Sequence, residues 1–182
     1  FEKAAILRDQ LAAIQSVQQK QYAETGQGDL DVVAIETRHG LAVIEVLMIR
    51  DGRILGHRTF RPDTRGEEDS SEILEAFLSQ YYLGDREDPV KPQEILLSMD
   101  IAGAEALQQA LESQWGKKVR LAWRVRSDRA AWITMAQTNA QQSMAAELAA
   151  REHMEARFLA LETLLESSDP VRRIECFDIS HT

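Results

Sequence analysis

Apolar positions along the chain change period several times, and each change marks an element. In residues 1–20, Phe1, Ala4, Ala5, Leu7, Leu11, Ile14 and Val17 recur at spacings of three and four, the stripe of an amphipathic helix. The stripe fades in residues 22–28, a polar linker containing Gly26 and Gly28. From Asp31 the period becomes that of a strand. Val32 to Ile35 form one apolar run, Arg38-His39-Gly40 supplies a turn, and residues 41–49 form a second run. Asp51-Gly52 marks a tight hairpin, since glycine tolerates the positive φ of a type I′ turn, and residues 53–60 complete a three-stranded antiparallel meander. Pro62 and residues 65–69 read as an exposed loop. Asp69 and Glu72 hold capping-box spacing ahead of Ile73, Leu74, Phe77 and Leu78, which predicts a helix. Beyond Gly84, Pro89 and Pro92, the pattern predicts a strand over 94–99, a helix over 104–115 closed by Gly116, and a strand over 118–125. One long helical pattern runs from Ser127 to about Ser168, with Trp132, Met135, Ala136, Ala140, Met144, Leu148, Phe158, Leu161 and Leu165 as its packing spine. Asp169-Pro170 ends it, and residues 173–179 read as a new buried strand.

The order β-β-β-α-β-α-β is that of ribonuclease-H-like folds. The predicted class is therefore α/β, a mixed sheet with an N-terminal helix before it and a long connecting helix after it. The expected boundaries are 1–22 for the first helix, 29–126 for the sheet domain, 127–169 for the connecting helix, and 173–182 for the first strand of a further domain. The chain opens on Phe1 within a helical pattern and stops just after an apolar run, so it reads as an interior piece of a longer protein.

Composition narrows the function classes. With a 44% apolar content, 182 residues can bury a core without staples. The single cysteine, Cys176, excludes an internal disulfide framework and fits a reducing cytoplasm. No apolar run approaches the roughly 18 residues of a membrane span, and no signal-peptide pattern is present. The net charge of −9 argues against a chain that grips DNA over its whole surface, so any nucleic-acid contact needs a local basic patch. One exists: Lys117, Lys118, Arg120, Arg124, Arg126 and Arg129, with Trp123 and Trp132 nearby. Alternation in a regular strand puts Lys118, Arg120, Arg124 and Arg126 on one face, either as phosphate contacts, with the aromatics stacking on unpaired bases, or as an ordinary solvated sheet face.

The strongest candidate for chemistry is Asp178, in Ile174-Glu175-Cys176-Phe177-Asp178-Ile179-Ser180-His181. A carboxylate in an apolar strand is costly to bury unless paired, protonated or metal-bound. Asp178 is thus either a divalent-metal ligand or a strand-end residue in water. Aligning Glu36 with Asp178 also aligns His39 with His181, which is either a coincidence of two positions or the trace of a degenerate copy of a catalytic fold, over residues 31–125, that lost its metal site. Asp100, after a short strand, is the other acid of interest. His39, His57 and His153 show no metal spacing. The helix bearing Phe1, Ala4, Ala5, Leu7, Arg8, Leu11 and Ile14 has two readings, a core helix or a partner-binding one.

The segment Ile174 to Thr182 resembles the opening of the endonuclease domain of the UvrC family, the C subunits of the bacterial UvrABC excinuclease. Phe1-Glu2-Lys3-Ala4-Ala5-Ile6-Leu7-Arg8-Asp9-Gln10-Leu11 resembles the UVR motif that precedes it. Glu94-Ile95-Leu96-Leu97 and residues 128–140 are also similar to that family, in the same order. The resemblance implies a role in nucleotide excision repair, with cuts on both sides of a lesion. It also implies docking to a UvrB-like helicase through the UVR helix. The 5′ cut would fall to a ribonuclease-H-like domain beginning near Arg173, with Mg²⁺ or Mn²⁺ and Asp178 as the first of its Asp-Asp-His set. Residues 124–127 depart from the family, where a proline near Arg124 and a glycine near Ser127 are expected. The rival readings are a non-catalytic scaffold that docks a repair helicase, and an unrelated metal-dependent phosphohydrolase of similar strand order.

Overall fold

In the computed structural model the described residues are 28–64, 69–84, 91–166, 170, 171 and 173. The predicted N-terminal helix and the strand carrying Asp178 lie outside them. Strands β1 (Leu30–Arg38), β2 (Leu41–Arg50) and β3 (Arg53–Phe60) form the expected antiparallel meander. Each hairpin turns on two residues of positive φ: His39 and Gly40 at 52° and 70°, Asp51 and Gly52 at 49° and 71°. Such angles are those of type I′ turns, whose twist matches that of the flanking strands.

The sheet continues on the far side of β1. Strand β4 (Glu94–Leu97) pairs parallel to β1, and β5 (Arg120–Ala122) pairs parallel to β4, giving the order β3-β2-β1-β4-β5. A parallel pair needs a crossover, and two helices supply them: α1 (Ser70–Leu83) between β3 and β4, and α2 (Ala104–Trp115) between β4 and β5. Asp69 caps α1, its carboxylate accepting from Ser71 N–H at 2.8 Å. Gly116 closes α2 at φ 67°, its N–H donating to the Glu112 carbonyl at 2.9 Å.

Alternation along the strands builds two cores. Val33, Ile35, Ile44, Val46, Ile95 and Leu97 meet Leu74, Leu78, Leu107 and Leu111 of α1 and α2. On the opposite face, Leu30, Val32, Ala34, Leu47 and Leu96 meet Trp132, Ile133 and Ala136 of the helix α3 (Asp128–Leu164). Leu74, Leu78 and Leu111 are fully buried, each worth about 1.5–3 kcal/mol over an exposed position. Helices on both faces explain why the central strands read as apolar runs. The outer strand β3 carries a bulge: Met48 pairs with Gly56 and Ile49 with Ile54, which leaves Leu55 outside the ladder and exposed. Bulges and arginines on an outer strand discourage edge-to-edge pairing.

The first compact unit ends at Met144. Burial of the α3 spine ends there too: Trp132, Ala136, Ala140 and Met144 are buried. In the second unit, Met154, Leu159, Leu164 and Leu165 are exposed. Among the described residues, full burial of the predicted spine is therefore confined to residues 132–144, and Leu148, Phe158 and Leu161 beyond it are half-buried. No helix among the described residues is long and apolar enough to cross a membrane.

Candidate functional site

In a sheet of this topology, ligand chemistry belongs outside the carboxyl ends of the parallel strands. At that end of β1 and β4 the structure gathers hydroxyls. Ile35 N–H donates to Ser98 Oγ at 3.3 Å, Thr37 Oγ1 and Ser70 Oγ share a hydrogen at 2.7 Å, and Ser71 Oγ donates to the Asp100 carbonyl at 3.2 Å. The nearby acids do not converge. Glu36 pairs with Arg38 at 3.2 Å, and Asp100 is exposed after β4. His39 is taken up by the first hairpin turn. Among the described residues no three of His, Cys, Asp and Glu are grouped to hold a metal ion. Hard divalent cations want several carboxylate or carbonyl oxygens, and a few hydroxyls are a poor substitute. The donor set of this sheet does not fit such an ion.

Strand β1 does carry a buried acid, but at its other end. Asp31 is 1% exposed and five residues before Glu36, about 16 Å along a strand. Its Oδ1 accepts from Arg50 Nη1 at 2.7 Å and its Oδ2 from Tyr82 Oη at 2.9 Å. Arg50 Nη1 also reaches the carbonyls of Leu30 and Ile49 at 3.0 and 2.9 Å. A carboxylate so neutralised ties β1, β2 and α1 together and is unsuited to bind a cation. Glu45, fully buried in β2, is engaged in the same manner. Its two oxygens meet His57 Nδ1 at 2.5 Å and Thr59 Oγ1 at 2.7 Å, both on β3. Sequence reading missed both acids as buried pairs. The available signal was a single charge inside each apolar alternation.

The third buried acid, Glu94, bears on the basic stretch. Its Oε2 accepts from Arg129 Nε at 2.8 Å, and Arg120 Nη1 lies 3.6 Å from Oε1. Lys117 Nζ donates to the Lys91 carbonyl. Lys118, Arg124 and Arg126 are exposed and, among the described residues, have no ion-pair partner. The stretch is therefore smaller in free charge than its sequence suggests. Its geometry also differs from the expected face of one strand. Strand β5 stops at Ala122, so Arg124 and Arg126 sit beyond it, in the bend that turns into α3. Ser127 completes that bend at φ 55°, a left-handed conformation in which glycine is free of Cβ strain. Of the two tryptophans, Trp132 offers no ring for stacking on bases. Trp132 is 4% exposed in the α3 core, and Trp123 is half-buried against the core under α1 and α2. Both rings are drawn into the cores by their apolar area.

The family description "UvrC Ribonuclease H-like domain" matches residues 29–147, which hold the whole sheet, α1, α2 and the first part of α3. The chain belongs to this family. Over all 182 residues it is 92% identical to the UvrABC system protein C of Alcanivorax borkumensis and 44% identical to that of Ectopseudomonas mendocina. The chain spans 30% of the length of each of these relatives. The crystal structure of ribonuclease H2 from Pyrococcus horikoshii superposes with a TM-score of 0.51, covering 71% of this chain and 78% of that one at 12% identity. That likeness supports the fold, and the predicted α/β class with a ribonuclease-H-like mixed sheet holds. The UvrC ribonuclease H-like match leaves out the segment of Phe1 to Ile14 and the segment around Asp178.

Proposed function

We propose that this chain is a region of a nucleotide excision repair subunit that incises the damaged strand on both sides of a lesion. The observation that carries the reading is the family match over residues 29–147, with 92% identity across all 182 residues to a UvrABC system protein C. Within that subunit, the described domain is a non-catalytic body. Its support is local: hydroxyls, not converging carboxylates, stand at the carboxyl ends of β1 and β4. The 5′ cut falls to the domain beginning near Arg173, with Asp178 as its first carboxylate and Mg²⁺ or Mn²⁺ as its metal. The helix with Phe1, Ala4, Ala5, Leu7, Arg8, Leu11 and Ile14 docks a UvrB-like helicase. Lys118, Arg124 and Arg126 meet DNA phosphates, with Arg120 held back by Glu94.

Dual incision of a lesion-bearing duplex by the complete subunit tests this reading, with its UvrA-like and UvrB-like partners and Mg²⁺ present. Asp178→Asn is expected to abolish the 5′ cut and retain the 3′ cut. Normal rates of both cuts would make Asp178 structural and move the scaffold reading ahead for the whole region.

A further inference from the structure

In the second compact unit, Ala145–Thr182, helix α3 carries an apolar stripe of its own. Met154, Phe158, Leu161 and Leu165 recur at spacings of four, three and four, which sets them on one helix face over about 16 Å. Leu165 N–H still donates to the Leu161 carbonyl at 2.9 Å, so the helical bonding reaches the last of them. The ion pair of Glu147 with Arg151, at 3.6 Å, lies on the same face and bounds the stripe at its amino end. Met154 and Leu165 are 49% and 61% exposed, whereas Phe158 and Leu161 between them are half-buried. The chain itself returns to this part of the helix. Glu166 breaks the helical course at φ 50°, and Val171 N–H then donates to Glu162 Oε1 at 2.7 Å, nine residues back. Glu162 stands four residues from Phe158 and three from Leu165, so it neighbours both on the helix surface. Val171, half-buried, therefore lies at the flank of the stripe.

We propose that this stripe seats residues 174–179 and, through them, the nuclease domain that they open. The proposal deepens the repair reading and rests on it for the identity of that domain. Reach supports it: Ile174 lies three residues past the anchored Val171, about 10 Å of extended chain. Chemistry supports it too, since Ile174, Phe177 and Ile179 supply apolar side chains for an apolar face. A second copy packed as a coiled coil is disfavoured, because about three helical turns fall short of the three to four heptads that sustain one. A separate protein approaching the stripe would meet Val171 at its flank. A nuclease domain seated in this way starts from a fixed helix instead of swinging on a free linker.

The test uses the complete subunit with the photo-cross-linking residue p-benzoylphenylalanine in place of the exposed Leu165, irradiated and mapped by mass spectrometry. Adducts are expected within the same chain, at residues 174–179 or in the domain beyond them. The same replacement at Leu159, 64% exposed but off the stripe, should give none there. Met154→Glu with Leu165→Glu changes two exposed residues and spares the helix. It should speed limited cleavage by trypsin after Arg172 or Arg173 about tenfold, and Leu159→Glu should leave that rate unchanged. Adducts on a second copy or on the UvrB-like partner would overturn the proposal, as would an unchanged cleavage rate in the double variant. Dual incision by the unmodified subunit, run in parallel, reports separately on the repair reading. Intramolecular adducts without incision would sink that reading and leave the seat standing, and incision without such adducts would do the reverse.

Discussion

Replacing Asp31 by alanine removes the acid that joins β1, β2 and α1. The carboxylate is 1% exposed, and the Arg50 side chain that it contacts at 2.7 Å is 12% exposed. Breaking a buried pair from one side costs about 3–5 kcal/mol, since the remaining charge stays desolvated. In a chain of this size, each kcal/mol moves the midpoint about 2–4 °C, so Asp31→Ala should lower Tm by about 6–20 °C. Asp31→Asn keeps the shape and an acceptor for Tyr82 but loses the charge, and should cost about 1.5–3 kcal/mol. Arg50→Met alone strands the carboxylate and should match the alanine variant. Asp31→Leu with Arg50→Met exchanges the pair for apolar contacts and should regain most of the loss. Chemical denaturation followed by tryptophan fluorescence measures all four, with Trp115 only 6.0 Å from Tyr82 as a local reporter. A cost below about 1 kcal/mol for Asp31→Ala would contradict a buried pair, because that is the behaviour of a solvated surface pair.

Three further outcomes can be measured, two from the structure and one from the proposed helicase docking. Changing Lys118, Arg124 and Arg126 together to glutamine should reduce the salt slope of duplex binding by the complete subunit by about 2.7, three phosphate contacts, and an unchanged slope would return them to a solvated surface. Ser127→Gly relieves a Cβ at φ 55° and should stabilise the chain by about 0.5–1 kcal/mol in thermal denaturation, after the entropy that glycine loses on folding. A charge or proline at Leu7 or Leu11 should abolish co-purification with the UvrB-like partner while circular dichroism of the chain stays native. Retained co-purification would make that stripe a core helix.

The parts of the fold that depend on local chemistry were legible in the sequence. Asp51-Gly52 gave its hairpin, Asp69 its cap and Gly116 its left-handed stop, because each of these acts within four residues. The α/β class followed from the order of periods. What stayed hidden depends on distant partners. Strand β5 was expected to reach Val125 but ends at Ala122. Among the described residues its ladder partner is β4, and that register runs out opposite Leu96. Glu94 draws Arg129 from 35 residues away, so the basic stretch looked freer than it is. The same applies to Phe60 and Tyr81, which meet because α1 packs back over the meander. Asp178 and the stripe from Phe1 to Ile14 lie outside the described residues, and their roles rest on the family pattern.

The proposed non-catalytic role of the described sheet, which keeps the ribonuclease-H-like fold, is open to a direct test. The measurement is dual incision by the complete subunit carrying Glu36→Gln and Asp100→Asn together, which removes two acids at the carboxyl ends of β1 and β4. Both cuts are expected to proceed at the rate of the unmodified protein. Loss of either cut, with binding of the lesion-bearing duplex intact, would place a working metal site in this sheet and contradict it.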